Sequence, residues 1–102
     1  MTRVSEITTK DIADYIRVQD YVESEFKIYL NIAKSFISNY TGIPITSDDE
    51  NVETLDSYED FVIVVYILCQ DMYDNRAMYV DSSNINKVVQ TILDMHTRNN
   101  LW

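Results

Sequence analysis

The sequence predicts a small all-α domain of one short and three longer helices, with a long acidic loop between the second and third. Three observations carry that expectation. Apolar residues recur at three-to-four spacing over several stretches, the signature of helices with one buried face. One glycine and one proline occur among 102 residues, two positions apart in Thr41-Gly42-Ile43-Pro44. Glycine closes helices by reaching left-handed backbone angles cheaply, and proline two residues on prevents the helix from resuming. Finally, the one segment with β-rich local character, Phe61 to Cys69, has no second segment to pair with as a sheet.

The elements follow in order. Residues 1–7 read as an extended, flexible lead-in. Thr8 with Asp11 three residues on forms a helix-start box, and a short helix over Lys10 to Ile16 sets Ile12, Tyr15 and Ile16 on one face. Asp20 with Glu23 is a second such box, opening a helix from Tyr21 to Tyr40. Its stripe is Val22, Phe26, Tyr29, Leu30, Ala33, Phe36, Ile37 and Tyr40. After Gly42 a polar connection runs from Ile43 to Asp56. Seven acids fall within Asp48–Asp60 (Asp48, Asp49, Glu50, Glu53, Asp56, Glu59 and Asp60), and loops of this length are commonly functional. Ser57 with Asp60 caps a third helix from Tyr58 to Tyr79, apolar on all sides in its first half and therefore central. The cluster Asp81-Ser82-Ser83-Asn84 caps a last helix over Asn84–Thr97, with Ile85, Val88, Val89, Ile92, Leu93 and His96 on its stripe. The tail Arg98-Asn99-Asn100-Leu101-Trp102 closes the chain; its tryptophan either folds back on the core or meets a partner.

Composition excludes several functions. No apolar run reaches the ~20 residues that span a bilayer, and the first residues carry no signal-peptide pattern, so no membrane association is expected. Cys69 is the only cysteine, so no intrachain disulfide forms, and zinc sites of Cys and His are excluded by supply. Cys69 within an apolar run reads as a small apolar residue, and the single histidine, His96, reads as an interaction with a helix C-terminus. One glycine cannot build a phosphate loop. The acidic stretch lacks the mid-loop glycine and the ligand spacing of an EF-hand. No pattern supports an enzyme, and no cofactor or metal is expected. The formal net charge of −9 argues against binding of DNA phosphates. It fits simple solubility, a basic partner, or a wall past which DNA slides. Eight tyrosines are abundant; Tyr58, Tyr66, Tyr73 and Tyr79 cluster on or beside the third helix, suited either to an interface or to core packing with the hydroxyl in water.

Three pieces carry a family resemblance: Thr8-Thr9-Lys10-Asp11-Ile12-Ala13-Asp14-Tyr15-Ile16-Arg17-Val18, then Ala33-Lys34-Ser35-Phe36-Ile37-Ser38-Asn39-Tyr40-Thr41-Gly42-Ile43, then Met72-Tyr73-Asp74-Asn75-Arg76-Ala77. Their order and spacing across nearly the whole chain resemble the head–tail connector (adaptor, or DNA-packaging) proteins of long-tailed phages and their prophages. The acidity of the Asp48–Asp60 stretch exceeds that pattern. The resemblance implies a single connector-like helical domain over residues 1–102 with no catalytic role. It implies a virion protein, assembled in the host cytoplasm as a ring of identical subunits, typically dodecameric. The ring docks beneath the capsid portal, extends the DNA channel without binding DNA specifically, and receives the next connector, stopper or tail protein. By the same resemblance the loop and tail are the interface candidates with portal or neighbour: Ile43, Ile45, Asp48, Asp49, Glu50, Val52, Glu53, Leu55, Arg98, Leu101 and Trp102. Tyr40, Gly42, Pro44, Tyr73 and Arg76 are the structural motif. For Tyr73 and Arg76 the favoured reading is packing against the second helix and pairing with an acid. The alternative for the whole chain is a small acidic regulatory or inhibitory module that binds a basic protein by charge.

Overall fold

The computed structural model of the protein describes residues 3–81 and 85–97. They form four α-helices, α1 (Thr9–Ile16), α2 (Glu23–Thr41), α3 (Asp60–Asn75) and α4 (Lys87–His96), with short 3-10 turns at Val4–Glu6 and Leu55–Ser57. Among the described residues there is no strand, as an all-α domain requires.

α1 starts as its sequence dictates. The Asp11 backbone N–H donates to Thr8 Oγ1 at 3.1 Å, and the Thr8 N–H donates back to the Asp11 carboxylate at 2.9 Å. Ile12 and Ala13 are buried. Tyr15 is not on the buried face as expected; it lies outside and stacks on Tyr66 of α3 at 5.0 Å.

α2 begins two residues later than expected. The Asp20–Glu23 box does not form, and Val22, exposed and off the buried stripe, is the N-cap without a side-chain bond. An apolar contact fixes the entry instead: Tyr21, just before the cap, stacks on Phe26 in the first turn at 5.0 Å. Phe26, Tyr29, Leu30, Ala33 and Ile37 are buried as the stripe predicts, and Phe36 and Tyr40 are half-buried. Gly42 closes the helix at φ 80°, its N–H donating to the Ser38 carbonyl at 2.9 Å.

α3 is shorter than the expected Tyr58–Tyr79. At its start Ser57 is not the cap; its hydroxyl accepts the Thr54 N–H at 3.1 Å inside the preceding turn. At its end Arg76 takes left-handed angles (φ 51°), and the Ala77 N–H bonds back to the Met72 carbonyl at 3.0 Å. Phe61, Val64, Val65, Leu68, Cys69 and Met72 are buried, each contributing ~1.5–3 kcal/mol for the larger side chains. The apolar run is not enclosed on every side, because Ile63 is 53% exposed.

α4 is capped by Asn86, whose side chain accepts the Val88 N–H at 2.7 Å. Of the expected capping cluster, Ser82, Ser83 and Asn84 lie outside the described residues. Val89 and Leu93 enter the core, whereas Val88 faces outward.

α2 and α3 form the central pair. They run antiparallel, since Phe26 near the start of α2 meets Tyr73 near the end of α3, edge to face at 5.5 Å. α4 runs antiparallel to α3 and parallel to α2: His96 reaches Asp60, and Tyr40 reaches Asp94. Residues 3–7 are not an extended lead-in, because Val4 and Ile7 are buried in the core. The radius of gyration, 13.5 Å, is close to the ~13 Å of a compact unit of this length.

Candidate interaction surface

One end of the bundle gathers the C-terminus of α2, the Ile43–Asp56 loop, the N-terminus of α3 and the C-terminus of α4. Its construction starts at Thr41, which is fully buried. The Thr41 hydroxyl donates to the Ile37 carbonyl at 2.8 Å and accepts the Ile43 N–H at 3.2 Å, turning the chain out of α2 with both groups satisfied. Ile43 then drops into the core, and Leu55 does the same on the way back. The Leu55 N–H donates to the Pro44 carbonyl at 3.2 Å, so the loop is clipped at its base. Within it, Asp49 accepts the Asn51 N–H through its carboxylate at 2.9 Å and the Val52 N–H through its carbonyl at 3.1 Å, a compact turn.

Burial divides the sequence-derived candidates. Ile43 and Leu55 are anchors and not contact residues, because neither presents surface to a partner. Asp48, Asp49, Glu50 and Glu53 are exposed, with Ile45 (36%) and Val52 (42%) interleaved among them. Arg98, Leu101 and Trp102 lie outside the described residues. Thr97, the last described residue, follows His96, whose Nε2 lies 3.1 Å from Asp60 Oδ2 and whose ring sits 4.2 Å from that of Tyr58. The Tyr58 hydroxyl donates to Glu53 at 2.8 Å, which ties the loop to the same cluster. The chain therefore leaves α4 beside the acidic loop. The lead-in joins this end as well, the Ser5 N–H donating to Asp56 at 2.8 Å.

The structural motif residues hold the helices. The Tyr40 hydroxyl donates to Asp94 at 2.6 Å, and that bond, with partial burial, raises the phenol above its usual range. Tyr73 packs on Phe26. The Arg76 guanidinium lies 4.4 Å over the Tyr73 ring and 3.5 Å from Glu25, bracing the α2–α3 crossing.

Sequence reasoning missed two features. The His96–Asp60 pair spans 36 positions, and no local pattern signals it. The charge distribution was legible and overlooked: between Ser35 and Asn75 there are nine acids and no lysine or arginine, while the remaining residues balance at eight of each sign. The entire formal charge of −9 resides in that segment.

Neither titratable group of special chemical interest is placed for covalent chemistry. Cys69 is fully buried, and burial pushes its thiol up to about 12. His96 faces Asp60 at the start of α3, nine residues before Cys69. Among the described residues no group of three His, Cys, Asp or Glu side chains could hold a metal ion, and no helix is long and apolar enough to cross a membrane. Compared with known proteins, the chain matches no family model, no curated sequence and no solved structure.

Proposed function

We propose that this chain is a structural virion protein, the subunit of a homo-oligomeric ring that docks beneath a phage capsid portal and joins head to tail. The resemblance of its three sequence pieces to head–tail connectors supplies the assembly. The observation that carries it onto this molecule is the convergence of the exposed loop and the exit of α4 on one end, with Ile45 and Val52 set among carboxylates. A surface of apolar points in a charged rim suits docking to another protein. A ring wall drawn from a segment with nine acids and no basic residue would repel DNA phosphates and let a genome pass.

Solution mass tests the reading. The purified chain, mixed with the portal ring encoded beside it, is expected to enter a large complex. Replacing both Ile45 and Val52 with Asp should weaken that association about tenfold or more, as loss of central apolar contacts does. Absence of association at every salt concentration would overturn the assignment.

The segregated charge favours one second reading, an acidic module that holds a basic protein. Binding that collapses as salt rises, and is abolished when Asp48, Asp49 and Glu50 are replaced by Lys, would select it over the connector.

A further inference from the structure

The opposite end of the bundle carries a cleft that the connector reading does not use. It encloses about 400 Å³ between the C-terminal half of α3 and residues 77–81 and 85. Leu68 and Met72 form its floor, Val80 and Ile85 its wall, and Asp71 and Asp81 its polar rim. That volume is in the range of sites that enclose a side chain or a small ligand. Tyr79, 64% exposed, stands between this cleft and a second groove of about 360 Å³ lined by Ile32, Phe36 and the 52%-exposed Met78.

The charge of the cleft is one-sided. Asp71 and Asp74 occupy the last turn of α3, where the helix dipole is already negative, and that turn contains no basic residue. Partial burial and the neighbouring Asp74 raise the Asp71 carboxyl above its ordinary range. The ion pairs among the described residues are Lys10–Asp14, Arg76–Glu25 and His96–Asp60, and neither Asp71 nor Asp74 pairs with a described residue. Arg76, the cation nearest in sequence, is held away by Glu25 and the Tyr73 ring. Two like charges at the wrong end of a helix work against folding. Local rules broken in this way concentrate where a protein binds something.

We propose that this cleft is a docking site for a basic segment of a partner protein. A lysine or arginine side chain lays its aliphatic stem along the half-buried Val80 and Ile85, above the floor of Leu68 and Met72, and carries its charge to Asp71 and the C-terminal carbonyls of α3. A neighbouring apolar side chain of the same segment drops across Tyr79 into the groove at Phe36. The carboxylates of Asp71 and Asp74 supply charge complementarity, and the long cationic side chains are the ones that combine an apolar stem with a charged head. The site is independent of whether the chain assembles into a ring.

Isotope-labelled intact protein titrated with acetyl-Leu-Lys-amide tests this by NMR. Saturable shifts are expected at Met72, Ala77 and Ile85. Acetyl-Leu-norleucine-amide, which keeps the stem and lacks the charge, and acetyl-Leu-Glu-amide should bind about tenfold more weakly or not at all, as loss of a charge-assisted contact implies. Asp71→Asn, nearly the same shape on an exposed position, should weaken the lysine peptide to a similar degree, and Tyr79→Ala should weaken all leucine peptides together. No saturable shift at millimolar peptide, equal binding of the lysine and norleucine peptides, or an unchanged affinity in Asp71→Asn would each overturn the proposal.

Discussion

Thr41 is fully buried, yet both hydrogen-bonding capacities of its hydroxyl are used, one on the Ile37 carbonyl and one on the Ile43 N–H. Thr41→Val keeps the shape and strands that N–H, so it should lower stability by about 1–3 kcal/mol in denaturant melts, while Thr41→Ser should retain most of it. Arg17 closes α1 at φ 69°, angles that cost a side-chain-bearing residue about 1 kcal/mol. Arg17→Gly should therefore raise stability by roughly that amount, since its backbone N–H bond to Ala13 remains. Asp71 sets the direction of a pH effect. Its carboxyl titrates above the ordinary 3.8, so the folded state holds that proton more tightly than the unfolded chain. The resulting stabilisation is present in acid and is lost as pH rises through the raised value. Asp71→Asn should thus melt slightly higher than the parent at neutral pH, with the gap closing below the carboxylate range.

The helices begin and end by different devices, and the devices decide their lengths. α1 uses a reciprocal side-chain box, α2 an aromatic contact between Tyr21 and Phe26, and α4 a single asparagine. Three helices close on left-handed residues, Arg17, Gly42 and Arg76, and only one is the glycine that sequence reading looks for. The loop is an element in its own right because Ile43 and Leu55 pin it at both ends. Leu55→Ala should cost about 2–5 kcal/mol, as large-to-small changes in a closed core do. The same change should speed hydrogen exchange at Ser57 and the Ser5 N–H, whose partners ride on that turn.

Across the molecule, charge and topology are coupled. Because α3 runs against α2 and α4, the acidic loop, the start of α3 and the exit of α4 share one end, and the last turn of α3 lies at the other. A net charge of −9, confined to residues 35–75, repels itself in the compact state. Raising salt from ~0.01 M to ~0.15 M shortens the screening length severalfold and should raise the melting temperature. A melting temperature that falls with salt would show that attractive pairs such as Arg76–Glu25 dominate instead.

Much of this protein is local and therefore written in its sequence. The stripe of Phe26, Tyr29, Leu30, Ala33 and Ile37, the stop at Gly42 and the Thr8–Asp11 box depend on residues within a turn or two of each other. These short-range terms made the class and the number of helices legible. The choice between strand and helix for Phe61–Cys69 was also decided by sequence, through the want of a pairing partner. What the tertiary structure alone decided involves residues far apart in the chain. Val4 and Ile7 join the core, Ile43 and Leu55 become anchors instead of contact residues, and Ile63 stays exposed, because each depends on which neighbour arrives from elsewhere. His96 finds Asp60, and Asp71 finds itself on a cleft with no ion-pair partner among the described residues, for the same reason. Helix periodicity specifies which face is buried, but only the crossing of three helices specifies where the two ends of the molecule are and which charges they carry.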